Sequence, residues 1–225
     1  MLVGETPVPY LLAKKRLRTF SSSRLVTVEQ AVDFAWQSSP HASIRPLQVK
    51  EEVTELLKIL SAKRPHSVLE IGTANGGTLF LFAQVAAPDA TIMSLDYPWV
   101  RYSRWRSFLF EGFAKYSTQR IITLRANSHN RSTLDEVLRR IPGMHLDYLF
   151  IDGDHTYNGV RLDFEMYSPL VSKGGLVALH DIVKHPPESH CGVSRFWSEL
   201  KSAYDYKELV KDPAQGWGGI GLIWK

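Results

Sequence analysis

The sequence predicts an α/β fold, doubly wound around a mostly parallel sheet of seven strands, and three observations predict it. Short apolar runs alternate with segments of helical period, the pattern of strands joined by crossover helices. The first of these runs ends in a glycine-rich turn from Gly72 to Gly77. The last two, YKELV and GIGLIW, are joined by the turn residues DPAQGWG and predict an antiparallel hairpin at the C-terminal end.

Residues 1–45 show no clean period, and Pro7, Pro9, the serines from Ser21 to Ser23 and Pro40 punctuate them. Val26 to Trp36 suits a helix, so the segment reads as a helical N-terminal extension to a domain spanning 46–225. LQVKEEVTELLKIL then places Val49, Val53, Leu56, Leu57 and Leu60 on one stripe of an amphipathic helix, which Pro65 ends. SVLEIG follows as a buried strand. TIMSLD, RIITLRAN, LDYLFIDG and GLVALHD are four more runs of strand length. Between them lie GGTLFLFAQVAA, the aromatic stretch 101–117, STLDEVLRRI with Ser132 as its N-cap, and Tyr157 to Val171. In the last, Val160, Phe164, Tyr167 and Val171 keep a helical spacing. VSRFWSELKSA predicts one more helix before the hairpin.

Composition excludes several classes. Apolar residues make up 44% and charged residues 22%, which is globular rather than disordered. No apolar run approaches the roughly 20 residues that cross a bilayer, so no membrane span is expected. The N-terminal basic cluster follows a very short apolar stretch, the reverse of a secretory signal. A single cysteine, Cys191, forms no internal disulfide, and a reducing, cytoplasmic setting is expected. The net charge of +4 includes a local group of Lys14, Lys15, Arg16 and Arg18. Arg101, Arg104 and Arg106 form a second, interleaved with Trp99, Tyr102 and Trp105. Such a surface can bind nucleic acid. A helix with one wet and one buried face gives the same pattern more often, so no nucleic-acid partner is expected.

In open α/β sheets ligands bind beyond the carboxyl ends of the strands. The loops to read therefore follow Ile71, Leu95, Arg125, Ile151 and Leu179. The first runs Glu70-Ile71-Gly72-Thr73-Ala74-Asn75-Gly76-Gly77-Thr78, which is neither G-x-G-x-x-G nor a phosphate-binding loop. An acid just before the first glycine repels a pyrophosphate and suits a cationic ligand. Asp96, twenty residues after Gly76, stands where a carboxylate accepts from both ribose hydroxyls. Together they describe a nucleoside carrying a positive group in place of phosphates.

VLEIGTANGGT with SLD behind it resembles the class I S-adenosylmethionine-dependent methyltransferases, whose fold is Rossmann-like. LDYLFIDGDHTYNGVRLDFEMYSPLVSKGGLVALHDI is similar to their small-molecule O-methyltransferase branch, which includes macrolide-sugar and cephalosporin-pathway enzymes. The resemblance covers about residues 67–225 and implies roles for the matching positions. Glu70 and Gly72 would meet the methionine end of S-adenosyl-L-methionine and Thr73 would also contact the cofactor, with Asn75, Gly76 and Gly77 shaping the loop. Asp96 would hold the ribose, Asn127 and Ser128 would sit at the adenine, and Asp152 near the sulfonium and the acceptor. Relatives place a divalent metal, magnesium or manganese, here; the matching residues are Asp152, Asp154, His180 and Asp181. His180 stands where an oxygen ligand is usual, and imidazole suits manganese, iron, zinc or nickel better than magnesium.

The implied activity is methyl transfer to a hydroxyl of a small molecule, a sugar or natural product. Its proton leaves to a metal-activated site or to a base. His155 is the expected base, Asp154 is placed to orient it or to bind the metal, and Asp152, near the sulfonium and the acceptor, is the second catalytic residue. The alternatives are a non-catalytic S-adenosylmethionine-binding module and a hydroxylase-type relative. The Asn-Pro-Pro-Tyr signature of nucleic-acid N-methylation is absent. His185, His190 and Cys191 hint at zinc, but Pro186 and Pro187 interrupt them and no second ligand pair follows, so no site is expected there. A helical extension also suits packing against a second copy, which makes a homo-oligomer one expectation.

Overall fold

The computed structural model describes residues 8–21, 26–37, 44–98 and 104–225. Two helices come first, α1 (Val8–Ser21) and α2 (Val28–Trp36), followed by α3 (Lys50–Lys63). Strand and helix then alternate: β1 (Ser67–Ile71), α4 (Gly77–Val85), β2 (Thr91–Asp96), α5 (Arg104–Phe110), β3 (Arg120–Arg125) and α6 (Arg131–Arg140). The second half continues with β4 (Leu146–Ile151), α7 (Tyr157–Tyr167), β5 (Val171–His180), α8 (Val193–Leu200), β6 (Tyr206–Leu209) and β7 (Ile220–Trp224). The seven strands lie in the order β3-β2-β1-β4-β5-β7-β6. Five are parallel, and β7 runs antiparallel to both β5 and β6. The predicted Rossmann-like architecture and its closing hairpin are therefore present.

Period-two alternation sends each strand's side chains to opposite faces, and both faces are covered. Val68, Ile92, Tyr148 and Phe150 join one core with α3, α4 and α5. Leu69, Met93, Leu149 and Ile151 join the other with α6, α7 and α8. Every residue of α4 is buried, because α2 and α3 pack over it and Phe20 of α1 reaches Phe80. Phe34 of α2 lies 4.1 Å from Phe20 and 5.5 Å from Phe80 in ring-centroid distance. Lys14 of α1 pairs with Glu111 and lies over the Phe108 ring, while Arg16 donates to the Gln37 carbonyl. Those two cations of the basic group are thus spent within the fold. Arg101, Trp99 and Tyr102, and the side chains of Arg104 and Trp105, lie outside the described residues.

Three details depart from the sequence reading. α6 begins one residue before Ser132, and its N-cap is Asn130. Val171 opens β5 rather than ending α7, since Pro169 interrupts the helix and a short 3₁₀ turn carries the chain to the sheet. Among the described residues of the 101–117 stretch the helix is Arg104–Phe110, and Phe113 beyond it is fully buried. Among the described residues no helix is long and apolar enough to cross a membrane.

Candidate functional site

The chain runs outward from β1 to β3 and returns to β4, so the loops after β1 and β4 diverge at the middle of the sheet. That reversal opens a crevice. Here it is a cavity of about 1100 Å³ walled by the loops after all five parallel strands. The two central loops touch backbone to backbone. Gly72 has φ +85°, and a Cβ on it would lie 2.0 Å from the carbonyl oxygen of Asp152. Gly76 has φ +82° and no space either, because the Phe110 ring would lie 2.3 Å away. Only glycine meets both conditions at these positions.

Gly72, Thr73, Asn75, Gly77, Asp96, Asn127, Ser128 and Asp152 all line the cavity, together with Asp154, His155, His180 and Asp181. Glu70 and Gly76 do not. Glu70 is wholly buried beneath the glycine loop, where its Oε1 accepts from the Thr78 hydroxyl. Its Oε2 has no hydrogen-bond partner among the described residues, and burial pushes its pKa up to about 8. Thr73 shares a 2.5 Å hydrogen bond with Ser94. Asn75 Oδ1 accepts from Arg106, at 2.6 Å, which ties the loop to α5. Asp96 accepts the Tyr97 N–H at 2.9 Å, and its pKa is raised by burial. Asn127 closes its own turn by accepting the His129 N–H at 2.9 Å.

The far wall is built of charge. Asp152 Oδ1 faces His180 Nδ1 at 3.1 Å and His155 Nε2 at 3.3 Å, and its Oδ2 accepts from Gln48 at 2.8 Å. Asp181 faces His155 Nδ1 at 3.4 Å, His180 Nδ1 at 3.3 Å and His185 Nε2 at 3.0 Å. Burial alone raises both carboxyl pKa values, but the histidines outweigh it and hold Asp152 and Asp181 below the ordinary carboxylate range. Burial lowers that of His180, yet the two carboxylates carry it up to about 10. The two carboxylates beside Nδ1 thus favour the protonated form of the His180 ring. His155 is half exposed at the mouth, and its hydrogen bond to Asp152 raises its pKa above 6.5. Asp154 turns to its own loop, accepting the Thr156 N–H at 2.9 Å where α7 begins.

Ligand atoms of Asp152, His155 and Asp181 lie within 4.8 Å of one another and fit a divalent ion. Two carboxylates and an imidazole suit manganese, iron or zinc better than magnesium. Asp154 and His180 are not in that group: one is engaged at the helix start, and the other has its Nδ1 turned to the carboxylates. Gln48 and His185 have a place here that sequence reasoning missed. Gln48 stands 104 positions before Asp152 with no motif around it. His185 finds its partner in Asp181, four residues earlier, where the sequence shows no second ligand pair.

Three comparisons bear on this cavity. The uncharacterized protein y4gI of Sinorhizobium fredii is 32% identical over 153 residues, 63% of this chain. The chain spans only 16% of that relative's length. The O-methyltransferase TomG from Streptomyces achromogenes, solved with S-adenosylmethionine, matches with a TM-score of 0.61 at 19% identity. That likeness covers 93% of this chain and 95% of TomG. MycE methyltransferase of the mycinamycin pathway, solved with magnesium and S-adenosylhomocysteine, gives 0.59 at 18%, covering 90% of this chain and 55% of MycE. These structures share the fold. The sequence model of the family described as "Methyltransferase domain" matches residues 69–182, about half the chain, from the third residue of β1 to just beyond the end of β5, with the loops after β1, β2, β3 and β4. The chain belongs to that methyltransferase-domain family.

Proposed function

We propose that the protein is an S-adenosylmethionine-dependent O-methyltransferase acting on a hydroxyl of a small molecule, a sugar or natural product. The observation that carries this reading is His155, half exposed at the cavity mouth and flanked by Asp152 and Asp181, in a chain of the methyltransferase family. Asp96 and Asn75, with the loop at Asn127 and Ser128, line the nucleoside end of the same cavity. S-adenosylmethionine, when bound, supplies the electrophilic methyl group.

The residues of the chain then have two tasks, alignment and removal of the hydroxyl proton. Rigid backbone contact between the loops at Gly72 and Asp152 holds the two ends of the cavity at fixed separation, a proximity term that contributes several kcal/mol. Asp181 faces Nδ1 of His155 and Asp152 faces Nε2, so the ring acts as base from its neutral form, with Nε2 turned from Asp152 to the acceptor hydroxyl to take its proton. Asp152 Oδ1, 3.3 Å away, stabilises the imidazolium that forms. Gln48 and His180 fix that carboxylate from two other sides. A second mode is favoured by the three converging donors: a divalent ion on Asp152, His155 and Asp181 would lower the pKa of a bound hydroxyl.

The test is calorimetric titration with S-adenosylmethionine and S-adenosylhomocysteine, with and without manganese or magnesium, followed by transfer of labelled methyl to hydroxylated acceptors. Micromolar binding is expected, and binding strengthened by metal selects the second mode. Absence of binding overturns the reading. Binding without transfer to any acceptor identifies a binding module, and an oxygen-dependent product a hydroxylase.

A further inference from the structure

Beyond the end of β5 a second group of ligand atoms lies beside the cluster just described and shares one member with it. Asp181, His185 and Cys191 bring a carboxylate oxygen, an imidazole nitrogen and a sulfur within 4.8 Å of one another. His185 Nε2 is already 3.0 Å from Asp181 Oδ1. Donors around a tetrahedral zinc ion, with bonds of about 2.0–2.3 Å, stand roughly 3.3–3.7 Å apart. The three atoms therefore need to close by about 1.5 Å at most.

The loop that carries them is held in place without an ion. Pro186 and Pro187 restrict its backbone. Ser189 Oγ donates to the Pro186 carbonyl at 2.7 Å and accepts the Cys191 N–H at 3.2 Å. The Gly192 N–H donates to the His155 carbonyl at 2.8 Å, pinning the cysteine end of the loop to the base-bearing loop. Asp181 sits at φ +65°, a region that costs a non-glycine residue of the order of 1 kcal/mol. The Gly218 N–H, donating to its Oδ1 at 2.9 Å, helps hold the carboxylate in that conformation, toward His185.

We propose that Asp181, His185 and Cys191 form a binding site for a borderline-soft divalent ion, zinc by preference, at the acceptor end of the cavity. A thiolate with an imidazole and a carboxylate selects zinc over magnesium or calcium. On binding, the thiol proton leaves to solvent as the metal–sulfur bond forms, and His185 coordinates in its neutral form. Three protein ligands leave a fourth position open, and since Asp181 and His185 line the cavity that position faces it. The ion draws on the carboxylate that also faces His155, so zinc and methyl transfer compete for Asp181. The site stands on its own donors, whether or not the methyltransferase reading holds.

The test uses the full-length chain, stripped with a chelator and titrated with Co²⁺ while absorbance is followed. A thiolate-to-cobalt charge-transfer band in the near ultraviolet is expected, saturating at one ion per chain and displaced by zinc. Cys191→Ser abolishes the band, and His185→Gln weakens zinc binding by at least about tenfold. Cobalt binding with no charge-transfer band overturns the proposal. So does a zinc affinity that is the same in the wild type, Cys191→Ser and His185→Gln.

Discussion

The two walls of the cavity are made by different physics. The wall after β1 and β2 is shaped by backbone: left-handed glycines, a buried carboxyl without a charge partner, and close packing of Phe110 against the loop. The wall after β4 and β5 is shaped by charge, with Asp152 and Asp181 interleaved with His155, His180 and His185. The first kind of wall fixes shape and tolerates almost no added atom. The second tolerates changes of shape but depends on which groups carry protons. Substitutions that exchange these sensitivities test the contrast.

The largest effect is expected at Gly72. An alanine there combines φ +85° with a Cβ 2.0 Å from a backbone oxygen that cannot move without displacing Asp152. Overpacking and left-handed strain together cost about 3 kcal/mol or more. A urea unfolding midpoint measures this directly. A loss below about 1 kcal/mol would show that the two loops do not touch as described. On the other wall His155→Gln should cost less than about 1 kcal/mol, because the ring is half exposed. Turnover in the same variant should fall roughly 10²–10⁴-fold. A variant that loses stability and keeps turnover would reverse the assignment of roles.

This contrast also explains what the sequence made legible. Parallel strands covered on both faces read as continuous apolar runs, so β1, β2, β4 and the core of β5 stood out, and the loops at their ends followed. Gly72 and Asp96 were recognisable because turns and strand ends impose local chemistry on the residues that occupy them. Gln48 was not, since its bond to Asp152 is a tertiary contact across 104 positions. The state of His180 was hidden for the same reason: a histidine becomes a cation or a ligand according to which carboxylates the fold brings to it. Val171 lies in β5 although its spacing from Tyr167 suits a helix, because the intervening proline forbids one.

A smaller effect separates Glu70 from the carboxylates of the other wall. Its pKa in the folded state is about 8, above the ordinary 4.5, so the native protein holds this proton more tightly than the unfolded chain. Stability from this group is present below pH 4.5 and is lost as pH rises through about 8. Glu70→Gln keeps the neutral shape and removes that loss. Thermal midpoints compared between pH 6 and pH 9 should converge in the variant and fall in the wild type. Equal slopes would mean that Glu70 is ionised in the folded protein.

The smallest and most discriminating change concerns Asp163, which belongs to neither wall. It is fully buried on α7, 3.3 Å from His129 Nε2 in the loop after β3, and it lies beneath Gly153 in the loop that carries Asp152. Burial pushes its carboxyl pKa up to about 6, so its contribution to stability is present in acid and declines as pH rises from about 4 through about 6. Asp163→Asn removes the ionisation and should gain about 1–3 kcal/mol at neutral pH. Denaturant midpoints at pH 4 and pH 7 check the sign. If Asp163 instead behaves like Asp152, held ionised by its histidine, the amide loses stability at pH 7 rather than gaining it. The charged construction would then extend beneath the sheet-end loops to the loop after β3, and the division between a shape-built and a charge-built wall would fail.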